Sequence, residues 1–227
     1  GKNDNGNNGR TELVFVVDRS GSMGGLESDA IGGFNSMLSK QRTIAGECRV
    51  TTLLFDHRIE TLHNHLDIRE VNDLTSRDYW VRGSTALLDA IGLAIDRMIV
   101  TQRHTAAAYR AQHVLFVIIT DGYENASRRY SLHQIKQMIT YERERYHWEF
   151  VFLGANIDAE QTAGDFGISP RCATDFHADG QGIKASFEAV ACAATAVRGG
   201  ADLDDLNAPD FLGGVRDDYR SRRRMKR

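Results

Sequence analysis

The chain has 227 residues, of which 41% are hydrophobic and 26% are charged, and its formal net charge is −3. These proportions are typical of a soluble globular protein that buries a sizeable core. No apolar run approaches the roughly 18 residues that a membrane-spanning helix needs. The start of the chain does not resemble a signal peptide. We therefore expect a protein that makes no use of a membrane.

Apolar periodicity predicts strands and helices that alternate along the chain. The predicted elements are, in order, a strand at 13–18, a helix from 26 to about 42, strands at 49–55 and 59 to about 66, a short helix near 73–79, a helix at 85–100, a strand at 114–120, a helix at 132–146, a strand at 149–153, a short helix at 159–165, a short edge strand at 172–176 and a helix from 182 to about 197. The connection at 56–58 is too short for a crossover, so the strands that it joins must be antiparallel.

This alternation predicts an α/β fold with a doubly wound, mostly parallel sheet, one antiparallel edge strand and helices on both faces. The length allows one domain or two, but the sequence contains no internal repeat and no linker. We predict one domain over residues 11–198. Residues 1–10 contain no apolar side chain and are expected to be disordered. Residues 199–227, with two Gly-Gly pairs and many charges, are expected to form a loosely ordered tail.

Positive charge is concentrated at the end of the chain. Residues 216–227 include seven basic and two acidic residues, so the rest of the chain is acidic. Such an end is a candidate contact for nucleic acid or acidic lipid, although a solvated tail is the more common state. The acidic body carries no basic stripe with interleaved aromatic residues. We therefore do not expect the domain to bind nucleic acid.

The cysteines and histidines do not form a recognisable disulfide or zinc pattern. The three cysteines are widely scattered and form no CxxC pair (Cys48, Cys172 and Cys192). Unpaired cysteines fit a reducing compartment. His63 and His65 share one face of a strand close to His57, but no third ligand follows at a zinc-site spacing. Polar residues on an edge hairpin are the simpler interpretation.

Three predicted elements bring oxygen atoms to one edge of the sheet. The first strand ends at Asp18, and Ser20 and Ser22 follow in a glycine-containing loop. Thr85 opens a helix after the segment Val-Arg-Gly-Ser, and Asp121 follows the strand at 114–120. Ligands of open α/β sheets bind outside the carboxyl ends of the strands. Two carboxylates and three hydroxyls, with no soft ligand, suit a hard divalent cation such as Mg²⁺, or Mn²⁺ or Ca²⁺.

The combination of these three segments resembles the metal-ion-dependent adhesion site of the von Willebrand factor A domain family. The segments are Asp-x-Ser-x-Ser after the first buried strand, Gly-Ser-Thr at the start of a helix, and Thr-Asp-Gly after a later strand. Each segment alone is common, since a threonine before a helix is usually an N-cap. Together they are specific, and the resemblance covers about residues 11–198.

The resemblance implies particular roles for these residues. Ser20 and Ser22 would coordinate the cation directly, and Thr85 would do so in a ligand-ready state. Asp18 and Asp121 would act largely through bound water in that state. A switch between direct aspartate and direct threonine contact would be linked to displacement of the last helix, at 182–197. A cation held mainly by neutral hydroxyls keeps uncompensated positive charge, so it attracts an acidic side chain of a partner protein.

Three further residues are candidates for the rim around the cation. Arg19 lies between the ligands, where it would either attract an acidic partner or point to solvent. Asn156 and Asp158 follow the strand at 149–153, so they are expected at the same edge of the sheet. We predict Arg19, Asn156 and Asp158 as partner-binding residues.

Enzymatic readings are less well supported by the sequence. There is no Gly-x-x-x-x-Gly-Lys-Ser/Thr loop for nucleoside triphosphates and no Gly-x-Ser-x-Gly nucleophile elbow. Phosphatases that form an aspartyl-phosphate carry a second aspartate where this chain has Ser20. A metal-dependent hydrolase of phosphate or ester substrates remains the alternative. It would need a general base, and no histidine falls within the three ligand segments.

We therefore predict a cation-dependent protein-binding module and not an enzyme. The unpaired cysteines and the Asp-x-Ser-Gly-Ser-Met sequence resemble the bacterial, intracellular members of the family. A cytoplasmic scaffold or regulator is the expected role. The identity of the acidic partner and the oligomeric state are not encoded in any pattern that we recognise.

Overall fold

The computed structural model describes residues 9–225 of the chain. In this part, six strands form one sheet: β1 (Thr11–Asp18), β2 (Cys48–Phe55), β3 (Ile59–Asp67), β4 (His113–Thr120), β5 (Glu149–Gly154) and β6 (Ala173–Asp175). Their order across the sheet is β3-β2-β1-β4-β5-β6. Only β3 is antiparallel, and it pairs with β2 at one edge. The predicted sheet with a single antiparallel edge strand is confirmed.

Helices cover both faces of this sheet, as the alternation predicted. Over the described residues they are α1 (Glu27–Arg42), α2 (Leu87–His104), α3 (Leu132–Tyr146), α4 (Ala159–Asp165), α5 (Gly180–Arg198) and α6 (Gly213–Met225). Helix α1 packs against α5, α2 packs against α3, and strand β1 contacts both α2 and α5. The two helix pairs therefore enclose the central strands.

The central strands β1 and β4 are buried along almost their whole length. Burial on both faces explains their continuous apolar sequences. On β4, Phe116 stacks on Phe150 and on Trp148, with ring centroids 4.9 Å and 5.6 Å apart. The edge strand β3 is only partly buried. The loops that follow β1 and β4 therefore extend from the buried centre of the sheet.

Most element boundaries differ from the sequence prediction by one to four residues, and two predicted helices need comment. Helix α2 begins at Leu87 and not at Thr85, and the segment at 73–79 is not helical. In that segment, Asp78 accepts hydrogen bonds from the amide and the hydroxyl of Thr75, both at 2.8 Å. The amide of Leu74 donates to the Asn35 side chain at 2.7 Å. These side-chain bonds take up backbone donors and close a turn where a helix was expected.

The segment after residue 198 differs most from the prediction, because residues 199–225 are folded onto the domain. Leu203, Leu212 and Val215 are buried, and α6 packs against α5 and β6. Arg216 donates hydrogen bonds of 2.9–3.1 Å to the carbonyl oxygens of residues 170, 171 and 173. The three buried apolar side chains and the hydrogen bonds of Arg216 hold residues 199–225 against the domain, although the charge of this segment suggested a free tail. Lys226 and Arg227 lie outside the described residues.

At the other end, the predicted disordered segment falls mainly outside the described residues, at positions 1–8. Arg10 was predicted to be disordered, but its backbone is held in place. Its carbonyl oxygen accepts hydrogen bonds from the amides of Gln112 (2.8 Å) and His113 (3.2 Å). The ordered domain therefore begins slightly before residue 11. In residues 9–225, no helix is long and apolar enough to cross a membrane. The cysteines at 48, 172 and 192 are all unpaired.

Candidate metal centre

Asp18 lies at the carboxyl end of β1 and is completely buried. Its Oδ1 accepts a hydrogen bond from the amide of Ser20 at 2.6 Å. Its Oδ2 accepts from the hydroxyl of Thr120 at 2.7 Å and from the amide of Asp121 at 3.3 Å. These bonds are possible because β1 and β4 are parallel neighbours whose ends meet at one edge. Asp18 therefore ties the loop after β1 (residues 19–26) to the loop after β4 (residues 121–131). Together with the loop before α2, which carries Thr85, these are called the ligand loops.

Ser20 and Ser22 are presented by a 3₁₀ turn (Gly21–Met23) that follows β1. The turn brings their hydroxyl oxygens to 3.1 Å from each other. The Ser22 hydroxyl also donates a hydrogen bond to Oδ1 of Asp121. The hydroxyls of Ser20 and Ser22, from the loop after β1, and the carboxylate of Asp121, from the loop after β4, therefore converge at the edge of the sheet.

Thr85 comes to the same place from the loop before α2. A methyl group added at Gly122, the residue after Asp121, would lie 3.7 Å from the hydroxyl oxygens of both Ser22 and Thr85. The backbone of Thr85 is held by Asn125, whose side chain accepts from the Thr85 amide at 2.8 Å and whose amide donates to the Thr85 carbonyl at 3.0 Å. The structure thus brings the five predicted ligands together. Cation binding by them stays a prediction.

The second oxygen of Asp121, Oδ2, is buried and has no hydrogen-bond partner among the described residues. Burial raises the pKa of Asp121 to about 6, and the nearby Asp18 carboxylate adds to this rise. Burial also raises the pKa of Asp18, in opposition to the hydrogen bonds that it accepts. Two buried carboxyl groups with raised pKa values and an unpartnered oxygen form a site that lacks positive charge.

These residues fit a hard divalent cation. All five candidate ligands offer oxygen, which is the preferred donor for Mg²⁺, Mn²⁺ and Ca²⁺. Among the described residues, no group of three or more His, Cys, Asp or Glu side chains could hold a metal ion. The absence of such a group does not exclude the site at Asp18, because three of the five candidate ligands there are hydroxyl groups.

Arg19 is not on the exposed rim, so its prediction as a partner-binding residue is corrected. Its side chain is 1% exposed, and its Nε donates to Oδ2 of Asp56 at 3.1 Å. Its NH1 lies 2.7 Å from Oε2 of Glu60, and its guanidinium carbon lies 5.1 Å from the ring centre of Trp80. A charged side chain enters the interior when such partners replace water. The sequence did not indicate that the β2–β3 hairpin supplies the two carboxylates, Asp56 and Glu60, that pair with Arg19.

Asp56 is the buried carboxylate of this cluster. It accepts hydrogen bonds from Arg19, from Arg82 at 3.0 Å and from the amide of Arg58 at 2.7 Å. Burial by itself would raise the pKa of Asp56, but these hydrogen bonds and the two guanidinium charges hold the pKa below its ordinary value. Asp56 is therefore ionised and anchors two arginines beside the candidate metal centre.

Asn156 and Asp158 are exposed and lie next to the Asp121 loop. The Asn156 side chain donates to the carbonyl of Asp121 at 3.3 Å, and its own backbone is left-handed, with φ of 57°. The amide of Asp158 contacts the hydroxyl of Tyr123 at 3.2 Å, and its carboxylate caps α4 through the Gln161 amide. Their position at this edge agrees with the prediction. Their contact with a partner stays a prediction.

Several residues that no sequence motif indicated hold the ligand loops in place. Glu124 accepts hydrogen bonds from the Leu88 amide at the start of α2 and from the amide and hydroxyl of Ser127. Asn125 holds Thr85, and the buried hydroxyl of Tyr79 donates to the Asp18 carbonyl at 2.6 Å. The only signal was a polar run directly after the Thr-Asp-Gly segment.

No family model matches the chain, and no curated protein matches it. Solved structures do match. The mussel byssus proximal thread matrix protein 1, solved with zinc in its MIDAS motif, has a TM-score of 0.58 at 15% identity, over 82% of this chain and 46% of that chain. Manganese-loaded TRAP protein of Plasmodium vivax gives 0.53 at 15% identity, over 79% of this chain and 72% of that chain.

A von Willebrand factor type A structure from Catenulispora acidiphila gives a TM-score of 0.55 at 10% identity, over 82% of this chain and 43% of that chain. The present chain thus has the von Willebrand factor A fold, as the sequence resemblance predicted. It spans less than half the length of the mussel and Catenulispora chains. At these identities the likeness establishes the fold alone.

Proposed function

We propose that this protein is a divalent-cation-dependent protein-binding module whose cation accepts a carboxylate from a partner protein. The observation that carries the proposal is the buried and unpartnered Oδ2 of Asp121 beside hydroxyl groups from two other loops. A buried polar atom without a partner is costly. A hard cation would remove that cost, because it is the natural partner of carboxylate and hydroxyl oxygens.

The five residues Asp18, Ser20, Ser22, Thr85 and Asp121 would hold the cation, which supplies a positively charged attachment point for an anionic group. Both oxygens of Asp18 already accept hydrogen bonds from the chain, so Asp18 orients the ligand loops more than it offers a free oxygen. The three hydroxyl groups are neutral and leave the charge of a divalent ion largely uncompensated. The site therefore favours an anionic ligand from outside.

We propose Mg²⁺ as the cation because every candidate ligand is a hard oxygen donor. The zinc in the mussel protein and the manganese in the Plasmodium protein support divalent occupancy of this fold more generally. Mn²⁺ is therefore a practical probe as well as an alternative ion, and Ca²⁺ is a further alternative.

We further propose a cytoplasmic scaffold or regulator of the bacterial, intracellular type, which binds an exposed Asp or Glu of another protein. The three unpaired cysteines support a reducing compartment. We also propose that the module is not an enzyme. A hydrolase would need a general base aimed at a reactive water. No histidine falls within the three ligand segments.

The proposal is tested by calorimetric titration of EDTA-treated protein with Mg²⁺ and Mn²⁺, followed by titration with a hexaglutamate peptide. We expect one cation per chain and peptide binding only when the cation is present. Ser22→Ala should weaken both events, and a hexaglutamine peptide should not bind. Absence of cation binding, or peptide binding that persists in EDTA, would contradict the proposal.

A separate assay tests the claim that the protein is not an enzyme. Wild-type protein is incubated with p-nitrophenyl phosphate and p-nitrophenyl acetate in Mg²⁺ or Mn²⁺. We expect no turnover above that of the Ser22→Ala variant. Turnover that needs both the cation and Ser22 would establish the metal-dependent hydrolase instead.

A further inference from the structure

We propose that Arg82 forms a second anchor for the acidic partner, so that the partner is recognised through two carboxylates. One carboxylate reaches the cation, and the other binds the Arg82 guanidinium at the rim. This inference rests on the proposed function and specifies the partner as an acidic segment whose carboxylates lie close together.

Arg82 belongs to a segment that runs alongside the first ligand loop. Its amide donates to the carbonyl of Arg19 at 3.0 Å. The carbonyl of the next residue, Gly83, accepts from the amide of Gly21 at 3.1 Å, and Gly21 lies between the two serine ligands. Thr85 follows two residues after Gly83. The backbone of Arg82 is therefore fixed directly beside the candidate metal centre.

The Arg82 side chain is held at its base and open at its tip. Its Nε donates to the buried carboxylate of Asp56 at 3.0 Å, and its guanidinium carbon lies 4.4 Å from the ring centre of Trp80. Among residues 9–225, neither terminal nitrogen of Arg82 makes a hydrogen bond, and the ion pair of this side chain is with Asp56. The side chain is 35% exposed, whereas that of Arg19 is 1% exposed. Of these two arginines, Arg82 is therefore the one that can meet a partner.

Arg82 shares its carboxylate partner, Asp56, with a second arginine. Arg19 is paired with both Asp56 and Glu60, so the single charge of Asp56 is shared between two guanidinium groups. A guanidinium with two free terminal nitrogens binds a carboxylate through two parallel hydrogen bonds. Because Asp56 and Trp80 already restrict the side chain, little conformational entropy is lost when it binds. Trp80, 41% exposed, adds apolar surface beside it.

The test measures hexaglutamate binding in Mg²⁺ for wild type, Arg82→Gln, Arg82→Lys and Arg145→Gln. Arg145 is an exposed arginine near the end of α3, away from the ligand loops, and it controls for the loss of one positive charge. We expect Arg82→Gln to weaken peptide binding about tenfold, which is the scale of a lost charge-assisted hydrogen-bond pair. Arg82→Lys should recover only part of the affinity because it lacks the paired donors. Arg145→Gln should match wild type.

Two measurements make the result specific. Mg²⁺ affinity of Arg82→Gln should equal that of wild type, and its unfolding should stay cooperative with a lower midpoint, because Asp56 loses one of its partners. Unchanged Mg²⁺ affinity and cooperative unfolding show that the cation site and the fold are intact. A peptide with one glutamate among five glutamines should bind wild type and Arg82→Gln equally. If hexaglutamate binds both proteins equally in Mg²⁺, the second anchor is refuted and the proposed function stands. If it binds neither protein in any Mg²⁺-dependent way, both proposals fail.

Discussion

The hydroxyl of Ser22 donates a hydrogen bond to a carboxylate oxygen of Asp121, which lies 99 residues further along the chain. The two residues come from loops after neighbouring parallel strands, β1 and β4. This bond joins two ligand loops at the point where the other oxygen of Asp121 has no hydrogen-bond partner in residues 9–225. The candidate metal centre is therefore assembled by side chains of the domain itself, and single substitutions can separate its parts.

Removing the charge of Asp18 should abolish cation binding without unfolding the protein. Asp18→Asn keeps an oxygen acceptor for the buried donors around it, whereas Asp18→Ala removes the acceptor of the Ser20 and Asp121 amides and one acceptor of the Thr120 hydroxyl. We expect Asp18→Ala to cost about 1–3 kcal/mol of unfolding free energy and Asp18→Asn to cost less. Thermal unfolding with and without EDTA is the measurement.

Mg²⁺ at 100 times its dissociation constant should stabilise the wild-type protein by about 2.7 kcal/mol, and EDTA should remove that gain. Neither Asp18 variant should show the gain. A melting temperature of Asp18→Asn that rises with Mg²⁺ as in the wild type would exclude Asp18 from the site.

Loss of the Thr85 hydroxyl should weaken partner binding more than cation binding. Thr85→Ala removes one hydroxyl near Ser22 but retains the backbone bonds to Asn125. We expect hexaglutamate affinity to fall about tenfold or more in Mg²⁺, with a smaller change in Mg²⁺ affinity. Thr85→Ser keeps the hydroxyl and should behave as wild type. Equal losses of cation and peptide affinity in Thr85→Ala would mean that the site does not switch between coordination states.

Glu149 should make the protein less stable as the pH rises. Burial, together with the nearby Asp202 carboxylate, raises the pKa of Glu149 from 4.5 to about 7. An acid with a raised pKa in the folded protein favours folding when it is protonated, and this contribution is lost between about pH 4.5 and 7. Glu149→Gln should therefore gain about 1–3 kcal/mol relative to wild type at pH 8 and much less at pH 5.

Urea unfolding at both pH values measures this difference. Glu144→Gln, at an exposed position on α3, is the matched control and should show little change at either pH. A gain for Glu149→Gln that is the same at pH 5 and pH 8 would show that ionisation of Glu149 is not its cause.

The segment after α5 should contribute to the stability of the domain. Leu212 is 2% exposed, whereas Leu206 in the same segment is 83% exposed. Leu212→Ala should cost about 2–5 kcal/mol because it removes buried apolar atoms and leaves a cavity. Leu206→Ala should change the unfolding free energy by less than about 0.5 kcal/mol. Equal unfolding midpoints for the two variants in urea would show that residues 199–225 are not part of the folded unit.

Much of the fold could be predicted because it depends on local patterns. Continuous apolar runs predict strands buried on both faces, and 3.6-residue periodicity predicts the helices between them. Once β1 and β4 are parallel, their carboxyl ends must meet at one edge of the sheet. Asp18, Ser22 and Asp121 are therefore brought together by chain direction alone. Exact helix limits, such as the start of α2, depend on backbone bonds that residue types do not specify.

The remaining features depend on contacts between residues far apart in the sequence. Arg19 is buried because Asp56, in the turn after β2, and Glu60, on β3, reach it, and its residue type alone suggested the opposite. The docking of α6 depends on few apolar side chains within a highly charged segment, where composition predicts a free tail.

The sequence by itself determined the class of fold and the candidate oxygen ligands at one sheet edge, because strand direction and ligand hardness are properties of residue order and type. Only the tertiary structure decided that Arg19 is buried and that Arg82 is partly exposed to solvent. The difference between the two arginines depends on the position of the Asp56 carboxylate, which can neutralise a guanidinium charge only where the folded chain places it.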